Sequence, residues 1–416
     1  PGVVGTPAVD PYVGVGPFVF VEANGGVDVD GTPYVTAIRG IDMRFRRDGT
    51  NGDVVILTPV LCWSMAEEST TMELVVSDTK YETLEYQPQA YLPDGTLRPY
   101  MLYAKYAGGM YDGVYSSVSG VKPRNRDVSH DALITITETA TTGYSGKSVA
   151  DDWYVKVMFL LKYATKNSQG VMYGCANYNY QYAPSVAETG VRRVILTNSQ
   201  AANLVVGSAM MLGTHTSTST DRSTSYNYDV FDGLVISSIE DYDTSHKAVY
   251  FDTGATFDTS TSYLLSTSPW YTGACDDVEG DGSRGDNLSG KYPMVIQGIE
   301  TMVGLYEVVG DVIISSDGST GWVPYVNHDS RDEATSLTSA YVSSGKSLPV
   351  DTEDSWKYPL YPEDGGGLLF GTTSGASQSS GLCDGHYTNK RATTGLREWR
   401  AFGSLSSGGG AGRGRH

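Results

Sequence analysis

Short apolar runs bracketed by glycine and aspartate recur along the first hundred positions of the chain. Phe18 to Glu22, Tyr34 to Ile38, Val54 to Leu57 and Glu73 to Ser77 gather β-branched and aromatic side chains, which suit the pleated surface of a sheet. Asn24-Gly25, Asp30-Gly31, Asp48-Gly49 and Asp94-Gly95 punctuate them, and such pairs tolerate the positive φ that tight turns demand. Residues 1–17 carry proline at positions 1, 7, 11 and 17, a spacing that forbids a helix. The reading is an extended N-terminal arm over residues 1–17, a β-rich region over residues 18–121 and a further domain over residues 122–416. Its joint is the basic, proline-containing run Lys122-Pro123-Arg124-Asn125-Arg126.

Past Gly146 the pattern changes period. Ser148 and Asp151 have the spacing of a capping box, which satisfies amides left unpaired at a helix start. Trp153, Val157, Leu160, Leu161 and Ala164 then fall on one side at helical spacing, which predicts a core-facing helix closed by Asn167 to Gly170. A second, shorter helix is expected after Thr197 or Asn198, carrying Ala201, Ala202, Leu204 and Val205. His215 to Asp229, dense in serine and threonine, reads as a loop. Strands are expected at Leu234 to Ile239, Ala248 to Phe251, Pro293 to Ile299 and Glu307 to Ile314. Beyond Trp356 the chain turns glycine- and serine-rich, through Gly365-Gly366-Gly367 and Ser374 to Gly381, without periodicity.

Composition agrees with a β-rich α+β protein: 30 tyrosines are twice the 9 phenylalanines and 6 tryptophans combined. The net charge of -19 argues against a general nucleic-acid binder, which needs a basic face to displace counterions from phosphate. No run approaches the roughly 20 apolar residues that cross a bilayer. No basic stretch precedes an apolar one at the start, so no secretory signal is expected, and Pro1 is compatible with removal of an initiator methionine. Cys62, Cys175, Cys275 and Cys383 lie far apart, a spacing that suits neither a zinc site nor a small disulfide framework. Buried reduced thiols are expected, with a Cys275–Cys383 pair left open.

Few residues carry catalytic chemistry. Six histidines show no paired spacing, and no GxSxG elbow, P-loop or dinucleotide fingerprint occurs. An enzyme is not expected. Asp276, Asp277, Glu279, Asp281 and Asp286 crowd one loop, and hard oxygen ligands in a loop suit calcium, although the spacing departs from the EF-hand pattern. No other cofactor is expected. The closing stretch Gly395 to His416 sets a tryptophan, a phenylalanine and four arginines among glycines and serines. Aromatics and arginine dominate binding hot spots, so this end is expected to meet a partner.

Three strings carry a family resemblance: Leu92 to Pro99 (LPDGTLRP), Asp151 to Gln169 (DDWYVKVMFLLKYATKNSQ) and Gly395 to Gly403 (GLREWRAFG). They resemble structural proteins of gut-bacterial tailed phages, whose C-terminal part has a C-type-lectin fold of the formylglycine-generating-enzyme type. A further echo runs from Tyr292 to Glu300, through Gly304 and Tyr306-Glu307-Val308, to Asp311. It departs from the family string at Thr301, Tyr306 and Val308, and the paired C-terminal cysteines of the sulfatase-activating members are missing, since Cys383 stands alone there.

The resemblance implies a virion protein assembled in the host cytoplasm, receptor-binding or tail-associated, with a host-cell surface protein or glycan and other virion subunits as partners. A homotrimer is implied as well. So is diversification of the closing segment by a retroelement, since in the family this string leads into a longer variable segment. The ligand contacts so implied are Trp399, Arg400, Phe402, Ser404, Ser406, Ser407, Arg413, Arg415 and His416. The alternative is an architectural head, neck or tail component that docks through the arm and binds no host.

Overall fold

The computed structural model describes residues 12–407 apart from residues 13, 29, 69–70, 126–128, 141–145, 215–226, 320, 330, 351, 378, 381–384, 389 and 391–392. Strand takes 36% and helix 9%, so the β-rich expectation is met. Arg413, Arg415, His416 and Cys383 lie outside the described residues, as does most of the serine- and threonine-dense loop.

Two hydrophobic cores organise the chain. The first packs Ile56, Trp63 and Tyr103 from the N-terminal region against Trp153, Tyr154 and Met158 of the helix and against Ile314, Trp322 and Trp399 from the C-terminal third. Its N-terminal wall is an antiparallel sheet in the order Pro33–Ile38, Val21–Val27, Val54–Thr58, Met101–Ala104. Its C-terminal wall runs Tyr341–Ser343, Trp322–Asn327, Glu307–Asp317, Thr394–Ala401. The second core, with Leu196, Met210, Leu212, Leu234, Val249 and Leu265, lies on a six-stranded antiparallel sheet. That sheet runs Gln181–Tyr182, Leu264–Thr267, Ala209–Gly213, Phe231–Asp241, His246–Asp252, Arg193–Thr197.

The expected joint at 122–126 therefore does not divide the cores. Residues on both sides of it share the first core, because strands too short to bury a sheet face alone need the distant C-terminal sheet and the helix to cover them. The second core draws mainly on residues 175–270, an excursion inside the span expected to be one lectin-like domain.

The helix forms as its sequence dictates, over Val149–Tyr163, with Ser148 and Asp151 making both capping-box bonds. Its apolar stripe is wider than expected. Lys156 and Lys162 are also buried, bonded to Asp152 at 2.5 Å and Asp281 at 2.9 Å, so the helix is enclosed by both walls instead of lying at the surface. Ala164 ends it in the left-handed conformation.

Three expectations change. Asn24-Gly25 is no turn; it is a bulge within Val21–Val27, where buried Asn24 exchanges hydrogen bonds with the Arg46 backbone at 2.7 and 2.9 Å. Pro293 to Ile299 is not one strand but a hairpin of Met294–Ile296 with Ile299–Thr301. Gln297 and Gly298 both take positive φ at its tip, as a two-residue hairpin turn of the primed type requires. A Cβ on Gly298 would meet Phe20 at 2.7 Å and Ile56 at 2.8 Å. The second helix shrinks to Asn198–Ala201, capped by Thr197 and Gln200, and Leu204 beyond it enters the second core.

Candidate ligand-binding cleft

The closing strand Thr394–Ala401 pairs antiparallel with Glu307–Asp317. Side chains alternate across a strand, and here the alternation sorts the expected contacts. Trp399 is 1% exposed in the first core, whereas Arg400, next to it, faces outward and bonds Glu398 through Nε at 2.5 Å. Phe402, 6% exposed, also belongs to the first core, and its φ of 61° turns the chain out of the sheet. Trp399 and Phe402 are thus corrected from ligand contacts to core residues, because burying two large aromatic rings outweighs presenting them to solvent.

Beyond Phe402 the chain crosses from one core to the other. Leu405 enters the second core, its amide bonding Gly304 O at 3.1 Å and its carbonyl accepting from Tyr178 N at 3.0 Å. A tight turn holds Ser404 to Ser407 around this anchor: Ser407 N donates to Ser404 O at 3.0 Å, and Ser404 N to Ser407 Oγ at 2.9 Å. Ser407 Oγ also pairs with Tyr306 OH at 2.9 Å, so its hydroxyl is committed to the fold.

A cleft of about 490 Å³ opens between this turn and the six-stranded sheet, and Arg400, Ser404 and Ser406 line it. The sheet supplies the opposite wall through one row of register partners, Gln181, Ser266 and Met211. Their neighbours Leu265 and Leu212 point the other way, into the second core. The wall is therefore the face of the sheet that the core leaves uncovered. Ser266 is 1% exposed, and its Oγ has no hydrogen-bond partner.

Four primary amides, those of Asn125, Asn179, Gln181 and Asn227, also line the cleft. None of these side chains bonds to the protein among the described residues. Tyr228 and Tyr306 add aromatic rings, and no aspartate, glutamate, histidine or cysteine is among the described lining residues. Such a surface offers hydrogen bonds and one cation, and its serine, threonine and tyrosine hydroxyls are joined in the described lining by no histidine, carboxylate or thiol.

The acidic loop serves a different purpose from the one expected of it. Asp276 accepts from Tyr106 OH at 2.5 Å and Ser119 Oγ at 2.7 Å and lies 3.6 Å from Arg47. Asp281 instead pairs with Lys162 and accepts from Gln297 N at 2.9 Å, and Asp286 caps its own turn through Leu288 N at 2.8 Å. These carboxylates are spent on separate partners. With Asp277 and Glu279 they form no group of three or more ligands among the described residues, so the calcium expectation is corrected, because calcium needs six or more converging oxygens.

The loop is fastened at Glu300, whose carboxylate accepts from Gly273 N at 2.9 Å and Cys275 N at 2.8 Å. Burial pushes that carboxyl up from the usual 4.5 to about 7, against the pull of the two amides and Lys105. Cys62, Cys175 and Cys275 are buried free thiols, and burial raises the Cys175 and Cys275 thiols above the usual range.

A larger groove of about 670 Å³, lined by Glu85, His328, Asp329 and Asp364 among others, holds none of the residues expected to bind. The cleft's amide wall was not anticipated from sequence. Its only local signal is the polar Asn-Tyr-Asn-Tyr-Gln run at 177–181, and the pairing that sets Gln181 beside Ser266 spans 85 residues. No protein-family model matches the chain, and no curated protein matches it.

Proposed function

We propose that the protein is a binding component of a tailed-phage virion, receptor-binding or tail-associated, whose ligand site is the cleft beneath the closing strand. The observation that carries this reading is convergence. Arg400, Ser404 and Ser406, singled out in the sequence as contacts, line one cleft together with four amides that the fold leaves unpaired. Asn227 is buried and Asn125 half-buried, while Asn179 and Gln181 are exposed, and a concave site lined by such convergent polar groups is where a ligand is expected.

The scaffold reading is a C-type-lectin-like domain of the formylglycine-generating-enzyme type. The family-like string at Gly298-Ile299-Glu300 forms a hairpin, and the one at Glu307 forms the long strand that pairs with the closing strand, an arrangement in keeping with a display segment on a rigid sheet. Diversification by a retroelement, a homotrimer and a host-cell surface partner belong to the same proposal. Binding is favoured over turnover because the described lining carries serine, threonine and tyrosine hydroxyls but no histidine, carboxylate or thiol to activate them.

The test fills the cleft from both walls. Ser406→Trp and Met211→Trp, each checked for an unchanged melting temperature, are expected to abolish adsorption of the purified protein to susceptible cells. Adsorption equal to that of the unmodified protein in both variants would refute the assignment.

A further inference from the structure

We infer that the cleft takes an anionic saccharide, a sugar chain bearing carboxylate or sulfate, with Arg400 as the residue that reads its charge. This rests on the binding reading above and adds the chemical class of the ligand. The chain has 48 acidic residues, yet no carboxylate lines this cleft among the described residues, while one guanidinium does. A local reversal of that kind removes the repulsion that an anion would meet elsewhere on the molecule.

The remaining lining fits a sugar better than a peptide or a nucleic acid. Every sugar hydroxyl both donates and accepts, and a primary amide offers one acceptor and two donors, so amide and vicinal diol pair in both directions. Asn125, Asn179, Gln181 and Asn227 offer four such groups that no described residue engages. Buried Ser266 contributes a hydroxyl without a partner. Tyr228 and Tyr306 supply flat faces for the C–H side of a pyranose ring. Met211, Pro269, Leu305, Val308 and Leu405 also line the cleft and suit the C–H faces of a sugar as well as a peptide side chain, so the four amides decide between the two; one arginine among the described lining residues is too little cation for a phosphate backbone.

Arg400 is held and not consumed. Glu398 engages its Nε and its Nη2, which fixes the plane of the guanidinium, and Nη1 remains to meet an incoming anion. Glu398 in turn accepts from His130 N at 2.5 Å, so the pair is braced from the neighbouring helix. Glu398 is therefore a positioning residue that also competes with the ligand for the same cation.

The experiment is calorimetric titration of the full chain with three oligosaccharides of matched length: a polyuronate, a sulfated chain and their neutral counterpart. The expected result is at least tenfold tighter binding of one anionic chain than of the neutral one in about 50 mM salt, with the advantage shrinking as ionic strength rises. Which anionic chain wins tells carboxylate from sulfate. Arg400→Gln is expected to erase the preference while leaving weak neutral binding, Arg400→Lys to keep part of it, and Glu398→Gln to widen it.

Equal affinity for neutral and anionic chains, or a preference unmoved by Arg400→Gln, overturns the charge assignment while the cleft stands as a binding site. Absence of binding to all three chains, with adsorption to cells still abolished by Ser406→Trp, overturns the saccharide class and points to a protein ligand. Adsorption indifferent to the blocking variants overturns the underlying reading itself.

Discussion

Replacing Glu300 by glutamine should reverse part of the protein's response to pH. Glu300 is 3% exposed, and its carboxyl sits at about 7 in the fold against 4.5 for an ordinary glutamate. The folded state therefore holds its proton over a range in which the unfolded chain has already released it. Stability from this group is fully present below about pH 4.5, falls as pH climbs towards 7, and is then flat. A displacement of that size corresponds to about 3 kcal/mol across the whole window.

Glutamine keeps one of the two acceptors for Gly273 N and Cys275 N and cannot ionise, so its cost is about 1 kcal/mol, independent of pH. Between about pH 5.5 and 8 the stability of the variant relative to the wild type should rise by about 2 kcal/mol. The variant should be the less stable protein only below about pH 5, where the wild-type carboxyl is protonated in both states, and the more stable one above it. Denaturant unfolding of both proteins at several pH values reads this difference directly, and other titrating groups cancel in the comparison. Parallel stability curves would show that the carboxyl is ionised throughout and that Lys105 outweighs desolvation.

Other perturbations separate the roles assigned above. Leu405→Ala should cost about 2–4 kcal/mol by emptying its place in the second core and should weaken cleft binding, since the Ser404 to Ser407 turn hangs on that anchor; denaturation and calorimetry check both. Gly304→Ala adds a Cβ 2.5 Å from Leu405 at a φ of +106°, so it should displace the same turn. Asp311 caps the helix by accepting from Val149 N at 2.8 Å and from Gln89 at 2.6 Å; Asp311→Ala should cost about 1–3 kcal/mol and Asp311→Asn less, measured by urea unfolding. Lys162→Met leaves Asp281 buried without its cation and should cost about 3 kcal/mol. Trp399→Ala should cost about 3–5 kcal/mol, whereas Arg400→Gln should stay within about 0.5 kcal/mol.

Local chemistry was legible in the sequence; long-range pairing was not. The capping box at Ser148 and Asp151 and the strand Val54–Thr58 follow from residue type and period within a dozen positions. The helix His130–Ala140 has no counterpart among the sequence expectations: its alternating isoleucine and threonine carry the period of a strand, and its docking comes from contacts with Gly310 and Glu398 far along the chain. Asn24-Gly25 misled for a related reason. The same dipeptide serves a turn or a bulge, and the choice rests with Arg46 and Tyr34, which the local pattern does not include.

The two cores were also hidden, since nothing in the sequence announces that Val54–Thr58 and Trp322 share one interior. The same bulge logic governs the C-terminal wall. Residues 310–312 have no partner on the closing strand, and that interruption brings the Asp311 carboxylate to the amide of Val149 at the helix start.

The closing segment holds the most instructive difference. A basic and aromatic stretch in an acidic chain invites a single interpretation for all its residues, but strand parity assigns them opposite tasks. Trp399 and Ala401 fill the first core while Arg400 faces the cleft. Phe402 makes the turn and Leu405 pins it into the second core, which leaves Ser404 and Ser406 at the rim. The proposed ligand surface could change at Arg400, Ser404 and Ser406 without disturbing either core, because the residues between them carry the folding energy. The separation of core-anchoring from cleft-lining positions, alternating along eight residues, is what the proposed display role requires of this segment.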